Sequence, residues 1–238
     1  MEPEPARAHQ GGMRCASVVK RVLVLLVAGA AWAAQPGTVF LLSAPSGTGK
    51  STLAKKLVQD IPGLVVAVSH TTRAPRPRER EGVDYFFVDD ARFDAMLAQG
   101  RFQESVEIYG RRYGLSREWL EKHLAAGQDV LLDLATGPAR TLRQAVPGTV
   151  SMFLLPPSAQ ELARRLHQRG SETGQQVALR MGRARLECSR YPEYDYLVVN
   201  DTVEQAFREL QAIILATRAR RERRQAVAQQ ILAGFPSD

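Results

Sequence analysis

The chain has 238 residues and a formal net charge of +7, with 45% hydrophobic and 24% charged residues. This composition excludes the disordered, collagen-like and low-complexity classes and predicts one sizeable folded domain. The two cysteines, Cys15 and Cys188, are too few for a disulfide framework or a cysteine-ligated metal cluster, and they fit a reducing compartment.

The first 36 residues differ from the rest of the chain. Lys20 and Arg21 precede an apolar run over residues 22–34, which ends in Ala-Trp-Ala-Ala-Gln-Pro. This pattern is typical of a secretory signal, although the run is too short to cross a membrane comfortably. Two other interpretations compete, a membrane-associating leader and a start codon placed too far upstream. We favour the misplaced start and expect the folded domain to begin near residue 37.

A phosphate-binding loop is predicted between residues 39 and 52. The apolar run Val39–Ser43 predicts a buried strand, and residues 52–59, with Leu53 and Leu57 four apart, predict an amphipathic helix. In such a loop, backbone N–H groups at a helix N-terminus bind phosphate oxygens, a lysine reaches the terminal phosphates and a hydroxyl reaches Mg²⁺. The candidate nucleotide-binding residues are Ala44, Pro45, Ser46, Gly47, Thr48, Gly49, Lys50, Ser51 and Thr52. Ala44 stands where the strict pattern has glycine, but the strand–loop–helix context is the one that the motif requires.

Beyond the first helix, apolar strands alternate with helical patterns, which predicts a parallel sheet with crossover helices. Candidate strands cover residues 64–68, 130–134, 151–155 and Tyr196–Val199. Helical patterns cover residues 118–126, 159–169, 177–188 and Val203–Arg218. The predicted fold class is therefore α/β.

Arginines near the C-terminus supply much of the positive charge. No aromatic residues interleave with them, so we interpret them as an exposed helix face rather than as a nucleic-acid site. They are Arg218, Arg220, Arg221, Arg223 and Arg224.

Residues 69–116, called the insert below, interrupt the alternation of strands and helices. Aromatic and β-branched residues mix with polar ones and turn signals are dense, which predicts a small mixed α+β substrate-binding subdomain. Phe93, Met96 and Leu97 recur at helical spacing and are expected in its core.

Two arginines of the insert, Arg73 and Arg76, lie three residues apart among prolines. Guanidinium groups offer fixed, bidentate donors, and two of them can grip one phosphate while one of its oxygens attacks. Tyr85 and Tyr113 can add neutral hydroxyl donors. The insert is therefore a candidate site for a phosphomonoester.

From about residue 37 to the C-terminus, the chain resembles the guanylate kinases, which transfer a phosphoryl group from ATP to GMP. The resemblance rests on residues 43–52, 69–76 and 82–88, Tyr113-Gly114, residues 155–158, Arg165-Leu166, Arg169-Gly170 and residues 194–201. It implies a P-loop NTPase-type parallel sheet, a nucleoside-monophosphate-binding insert over about residues 69–116 and a helical lid over about residues 165–182.

The resemblance also implies a role for each candidate residue. The GMP phosphate would be held by Arg73, Arg76, Tyr85 and Tyr113, and the guanine by Ser69 and Glu104. Lys50 and the lid arginines would stabilise the charge of the transferring phosphoryl group; these arginines are Arg165, Arg169 and Arg180. Asn200 would lie beside the adenine of ATP, and Ser51 and Asp133 would hold Mg²⁺. The implied reaction is direct in-line transfer to GMP or dGMP without a covalent intermediate.

Two positions on the acceptor side depart from the family pattern. Ala135 stands where the family has a second carboxylate for the guanine amino group, and Leu115 stands where it has a serine or threonine beside the base. A site with fewer hydrogen-bonding partners for the base discriminates less between bases. Glu104 alone can still accept from both N1–H and the amino group. We expect weakened affinity for GMP, or relaxed selectivity toward IMP or dAMP.

Two other functions remain open at this point. One is a divergent kinase of another phosphorylated small molecule, and the other is a non-catalytic interaction domain that keeps the fold. Lys50, Ser51 and Asp133 are all present, which argues against the interaction domain. We expect no nucleic-acid partner and no stable membrane insertion, and we leave a homo-oligomer open. Because an exported enzyme would lack ATP, we expect a cytoplasmic location.

Overall fold

The computed structural model describes residues 35–77, 79–108, 110–134, 139–168 and 174–236. Three sequence predictions lie outside these residues: nearly all of the N-terminal extension, the departure at Ala135 and the role of Arg169. Within the described part of the chain, every helix is too short or too polar to span a membrane.

The strands are β1 (Val39–Ser43), β2 (Leu64–Val66), β3 (His70–Thr71), β4 (Phe86–Phe87), β5 (Phe102–Ile108), β6 (Arg111–Ser116), β7 (Asp129–Leu134), β8 (Val150–Leu155) and β9 (Tyr196–Val199). The helices are α1 (Lys50–Asp60), α2 (Asp90–Ala98), α3 (Arg117–Ala125), α4 (Ala139–Ala145), α5 (Ala159–Gln168), α6 (Gly174–Cys188), α7 (Val203–Arg218) and α8 (Arg221–Leu232). A 3₁₀ turn covers Tyr191–Glu193.

The main sheet has the strand order β2-β7-β1-β8-β9, and all of its paired strands are parallel. The sheet is buried on both faces, as the continuous apolar run of β1 predicts. Helices α1 and α7 cover one face with Leu53, Leu57 and Phe207, while α3 and α4 cover the other with Leu120 and Leu142. This arrangement confirms the predicted α/β fold class.

Strand β1 lies at the centre of the sheet, between β7 and β8. From β1 the chain passes to β2 and later returns to β7 on one side of β1, and it then crosses to β8 and β9 on the other side. In open α/β sheets, ligands bind in the crevice at the carboxyl ends of strands at such a switch point. The fold therefore places the loop after β1 where a nucleotide would bind.

The insert forms a second sheet with the order β4-β3-β6-β5. β3 pairs parallel with β4 and antiparallel with β6, and β5 pairs antiparallel with β6. Phe93 and Met96 of α2 pack under this sheet against Phe102, as the helical spacing predicts. Leu97 is 48% exposed, so its predicted core position is wrong. The reason is that α2 is short and packs along one narrow face only.

Arg218 corrects the interpretation of the C-terminal arginines as an exposed helix face. Its side chain is buried at the end of α7, where Nε donates to Asp129 Oδ2 at 2.6 Å and Nη2 donates to Pro62 O at 3.0 Å. The other oxygen of Asp129 accepts from the backbone N–H of Thr38 at 2.6 Å. This charge therefore ties α7 to the amino ends of β1 and β7.

Candidate active site

The loop after β1, residues 44–49, needs glycine at two positions. Gly47 and Gly49 have φ angles of +93° and +97°, which residues with a Cβ rarely adopt. A Cβ on Gly47 would lie 2.8 Å from Leu166 Cδ2, and one on Gly49 would lie 2.6 Å from Asn200 Nδ2. Both glycines are thus fixed by backbone conformation and by close neighbours. The loop leads directly into the N-terminus of α1. The first backbone N–H groups of a helix have no intrahelical acceptor and can bind an anion.

Thr48 anchors the middle of this loop. Its buried hydroxyl donates to Pro45 O at 2.8 Å, and its carbonyl accepts from Asn200 Nδ2 at 2.6 Å. Asn200 is itself buried, and its Oδ1 has no hydrogen-bond partner among the described residues. The structure therefore places Asn200 beneath the phosphate loop, where it holds the loop backbone.

Lys50 and Asp133 meet at the carboxyl ends of β1 and β7. The Lys50 ammonium donates to Leu134 O at 2.9 Å and forms an ion pair with the Asp133 carboxylate. β1 and β7 are parallel neighbours in register, so residues that follow or end these strands reach the same edge of the sheet. The parallel pairing thus brings together two residues that are more than 80 positions apart in the sequence.

The oxygens available near this edge suit Mg²⁺. Ser51 is exposed in the first turn of α1, and Asp133 offers a partly exposed carboxylate. Mg²⁺ is usually held by one or two protein oxygens together with substrate phosphates and water, so a larger cage is not required. Among the described residues, no three His, Cys, Asp or Glu side chains group as metal ligands. Ser51 and Asp133 therefore fit a Mg²⁺ ion that is bound mainly through a nucleotide.

Arg165 lies on α5 and reaches the end of β9. Its Nε donates to Glu161 Oε1 at 2.7 Å, and its Nη atoms donate to the carbonyls of Asn200 at 3.1 Å and Asp201 at 3.3 Å. Hydrogen bonds from Arg164 and then from Arg165 lower the pKa of Glu161 to about 2. The guanidinium of Arg165 is thus held next to Asn200, which in turn holds the phosphate loop.

Helix α6 contacts the phosphate loop through Ser46. Arg180 Nη1 lies 3.5 Å from Ser46 Oγ. Glu187, two turns further along α6, also lies by this loop. Burial raises the pKa of Glu187, while the backbone N–H of Ser46 and the charge of Lys50 act in the opposite direction. α6 packs on α5 through a small apolar cluster, so both helices close against the same loop.

The insert brings Arg73, Tyr85 and Tyr113 together. The Arg73 guanidinium lies over the Tyr85 ring, 5.3 Å from its centroid, and the Tyr85 and Tyr113 rings meet edge to face at 5.9 Å. Burial is the main cause that raises the pKa of Tyr85, so its hydroxyl stays a donor at neutral pH. Arg76 is exposed, three residues beyond Arg73. These four residues form one cationic, hydroxyl-rich corner of the insert.

Glu104 lies on β5, where a bulge after Phe102 places it opposite Leu115 of β6. Burial raises the pKa of its carboxyl group to about 7. Leu115 is 4% exposed and packs into the apolar cluster with Leu120, so it presents no hydrogen-bonding group beside Glu104. Ser69 is half-buried just before β3, where its carbonyl accepts from the Phe86 N–H at 2.9 Å. Glu104 thus places a titratable carboxyl group beside an apolar neighbour in the sheet.

Sequence reasoning missed three carboxylates at this site: Glu79, Glu161 and Glu187. Glu79 binds Arg73, Glu161 binds Arg165 and Glu187 lies by Ser46. Glu161 is detectable as an acidic residue four positions before Arg165 on one helix. The other two depend on how a turn and a helix pack, and no local pattern signals them.

Comparison with known proteins gives one consistent family. The family model for guanylate kinase matches residues 37–217. A guanylate kinase from Alkalilimnicola ehrlichii is 47% identical over 197 residues, which cover 83% of this chain and 97% of the relative. A guanylate kinase from Coxiella burnetii is 43% identical over 195 residues, which cover 82% of this chain and 95% of the relative. The crystal structure of guanylate kinase from Anaplasma phagocytophilum superimposes with a TM-score of 0.69 at 31% identity, covering 86% of this chain and 98% of that one.

Proposed function

The chain belongs to the guanylate kinase family, and on that premise we propose that it moves the γ-phosphoryl group of ATP directly onto the phosphate of GMP. One observation carries this proposal. The family match runs from residue 37 to residue 217, so it includes the phosphate loop, the insert and the α5–α6 pair in a single alignment. The relatives match over almost their entire length, so the similarity is not confined to a common phosphate loop.

The donor site is assigned to the phosphate loop and its supports. Within residues 44–52, the N–H groups of Gly47, Gly49, Lys50 and Ser51 would bind the phosphates of ATP, and the Lys50 side chain would neutralise the β- and γ-phosphates. Asn200 would lie beside the adenine while it holds Thr48 from below. Ser51 and Asp133 would hold Mg²⁺. When bound, this ion neutralises charge on the β- and γ-phosphates.

The acceptor site is assigned to the insert. The phosphate of GMP would be bound by Arg73, Arg76, Tyr85 and Tyr113, because two guanidinium groups and two hydroxyls supply several hydrogen-bond donors from fixed positions. Ser69 and Glu104 would bind the guanine. An ionised Glu104 can accept from both N1–H and the amino group of guanine, which adenine cannot offer.

The reaction is a single displacement. An oxygen of the GMP phosphate attacks the γ-phosphorus of ATP, and the bond from that phosphorus to the β–γ bridging oxygen breaks, which yields GDP and ADP. No strong general base is needed, because the attacking oxygen is already anionic. Catalysis is then mostly positioning and charge neutralisation, to which Lys50, Arg165, Arg169 and Arg180 would contribute.

The insert over residues 69–116 and a lid over residues 165–182 would close over the two substrates. Closure excludes water, which would otherwise accept the phosphoryl group, so that ATP would be hydrolysed without formation of GDP. The cytoplasm, where both nucleotides are found, is the proposed location.

The test is a coupled assay of ADP release by the full chain with ATP and Mg²⁺, offered GMP, dGMP, IMP, AMP and ribose phosphates separately. We expect turnover with GMP and dGMP. Turnover with a ribose phosphate instead would identify a divergent kinase. No turnover with any acceptor would leave the non-catalytic interaction domain.

A further inference from the structure

Glu79 lies in the turn between β3 and β4 and binds the Arg73 side chain and the Arg76 backbone. Its Oε1 and Oε2 accept from Arg73 Nη2 at 2.8 and 2.9 Å. Oε2 also accepts from the backbone N–H of Arg76 at 2.7 Å. The two ion-paired side chains are only 15% and 18% exposed. One carboxylate thus connects the side chain of one arginine to the main chain of the other.

These contacts orient the Arg73 guanidinium without using all of its donors. Besides the Glu79 contacts at Nη2, Nη1 donates to Ala74 O at 2.8 Å. A guanidinium has five N–H donors. Two contacts go to Glu79, one goes to Ala74 and one goes to the Tyr113 hydroxyl, so at least one N–H remains for a phosphate. The plane of the group is also restricted by the Tyr85 ring beneath it. Arg73 is therefore held in one orientation and still able to bind an anion.

The electrostatics agree with a persistent pair. The hydrogen bond to Glu79 is the largest cause that raises the pKa of Arg73, and the hydrogen bond from Arg73 is the largest cause that lowers the pKa of Glu79. Both groups stay charged through the neutral range. Arg73, Arg76 and Glu79 together carry a net charge of +1, so the corner still attracts a phosphate.

A flexible arginine loses rotamer freedom when it binds a ligand, and this loss weakens binding unless the side chain is already ordered. We propose that Glu79 is a positioning residue for the acceptor phosphate: it holds Arg73 and the Arg76 backbone in place, and it does not touch the substrate. The inference rests on the proposed function of the insert.

If Glu79 competed with the GMP phosphate for Arg73, its removal would change the KM for GMP in the opposite direction. A carboxylate that merely competed with the GMP phosphate for Arg73 would weaken GMP binding, and removing it would lower the KM for GMP. A positioning residue strengthens GMP binding, and removing it raises that KM. The direction of the change therefore separates the two roles.

The experiment compares the full-length wild-type chain with Glu79→Ala and Glu79→Gln. For Glu79→Ala we expect the KM for GMP to rise about tenfold or more, because hydrogen bonds to a charged group are lost, while the KM for ATP changes by less than about twofold. Glu79→Gln should be intermediate, because its amide oxygen can still accept from one of the two arginines. Glu81→Ala is the matched control, since the Glu81 carboxylate accepts from the Phe87 N–H at 2.9 Å and forms no ion pair among the described residues of the insert.

A second measurement tests whether Glu79 acts on the binding of the phosphate rather than of the nucleoside. Calorimetric titration with GMP and with guanosine should show that Glu79→Ala weakens GMP binding and leaves guanosine binding unchanged, because guanosine has no phosphate to position. Equal losses for both ligands, or a lower KM for GMP, would overturn the role of Glu79. Absence of wild-type turnover with normal GMP binding would refute the proposed function alone.

Discussion

Asn200 and Thr48 are joined by a buried hydrogen bond, 2.6 Å from the amide nitrogen of Asn200 to the carbonyl oxygen of Thr48. The bond connects the end of the edge strand β9 to the phosphate loop after the central strand β1. Arg165 binds the carbonyl of the same Asn200, so the α5 helix, the edge strand and the loop form one continuous network. The geometry of the nucleotide site thus depends on a residue far from it in sequence.

Replacing Asn200 should loosen the phosphate loop. In Asn200→Ala the Thr48 carbonyl loses its buried donor, which costs about 1–3 kcal/mol of unfolding free energy. We also expect a KM for ATP at least about fivefold higher, because phosphate binding depends on precise loop geometry. Asn200→Asp should behave similarly, since it keeps the size but not the donor. Urea unfolding and steady-state kinetics test both effects, and an unchanged KM for ATP would limit Asn200 to a structural role.

Lys50→Ala should remove phosphoryl transfer while GMP binding persists. The ammonium is the cation that we assign to the terminal phosphates, and loss of one such group lowers kcat on the order of 10²- to 10³-fold. Lys55→Ala provides the control, because Lys55 is exposed on the same helix. Equal kcat in the two variants would contradict the assignment of the phosphate loop.

GMP affinity should depend on the ionisation of Glu104. Its pKa is raised to about 7 by burial, so the group is largely protonated at pH 6 and ionised at pH 8. Because the guanine N–H groups need an acceptor, we expect the KM for GMP to rise about tenfold from pH 8 to pH 6. The GMP phosphate itself titrates with a pKa of about 6. Glu104→Gln separates the effect of Glu104 from that of the GMP phosphate. In this variant the KM for GMP should change with pH only through titration of the phosphate.

Base selectivity should be weak for a guanylate kinase. Leu115 is buried in the apolar core opposite Glu104 and contributes no hydrogen bond to a base. IMP lacks only the 2-amino group of GMP, and with fewer partners for that group we expect kcat/KM values for GMP and IMP within about a hundredfold of one another. A strict requirement for GMP in the acceptor assay would contradict this expectation.

The buried ion pair between Arg218 and Asp129 should dominate the stability of the C-terminal half. Arg218→Ala leaves the buried Asp129 carboxylate without its cationic partner, which costs about 3–5 kcal/mol in unfolding free energy. Arg221→Ala is the control, because the Arg221 side chain is 89% exposed and an exposed ion pair contributes little to stability. The two variants are compared by urea unfolding, and equal losses would show that the burial of Arg218 has no energetic consequence.

Local patterns predicted the parts of the fold that local physics determines. The apolar run of β1, the two glycines of the loop and Lys50 follow from the requirements of a phosphate site within fourteen residues. The bounds of α7 agree with the predicted Val203–Arg218 because its apolar spacing and its Thr202 cap are both local. The predicted helix over residues 159–169 likewise agrees with α5 as far as the described residues extend.

The features that the sequence did not predict depend on contacts between residues that are not recognisable as partners from local sequence patterns. Arg218 looked like one of several exposed arginines because its partner Asp129 is 89 residues away. Glu79 could not be assigned because its role depends on a turn that folds back onto Arg73. The strand order of the main sheet is also invisible locally, since it is set by which apolar strands pair.

The most direct test of the central claim follows the phosphoryl group itself. The full chain is incubated with ATP labelled at the γ-phosphate, Mg²⁺ and unlabelled GMP, and the products are separated by chromatography, with Lys50→Ala as the blank. The account predicts that the label appears in GDP in equal amount to the ADP formed. Label released as inorganic phosphate, or retained in ATP at the level of the blank, would contradict it.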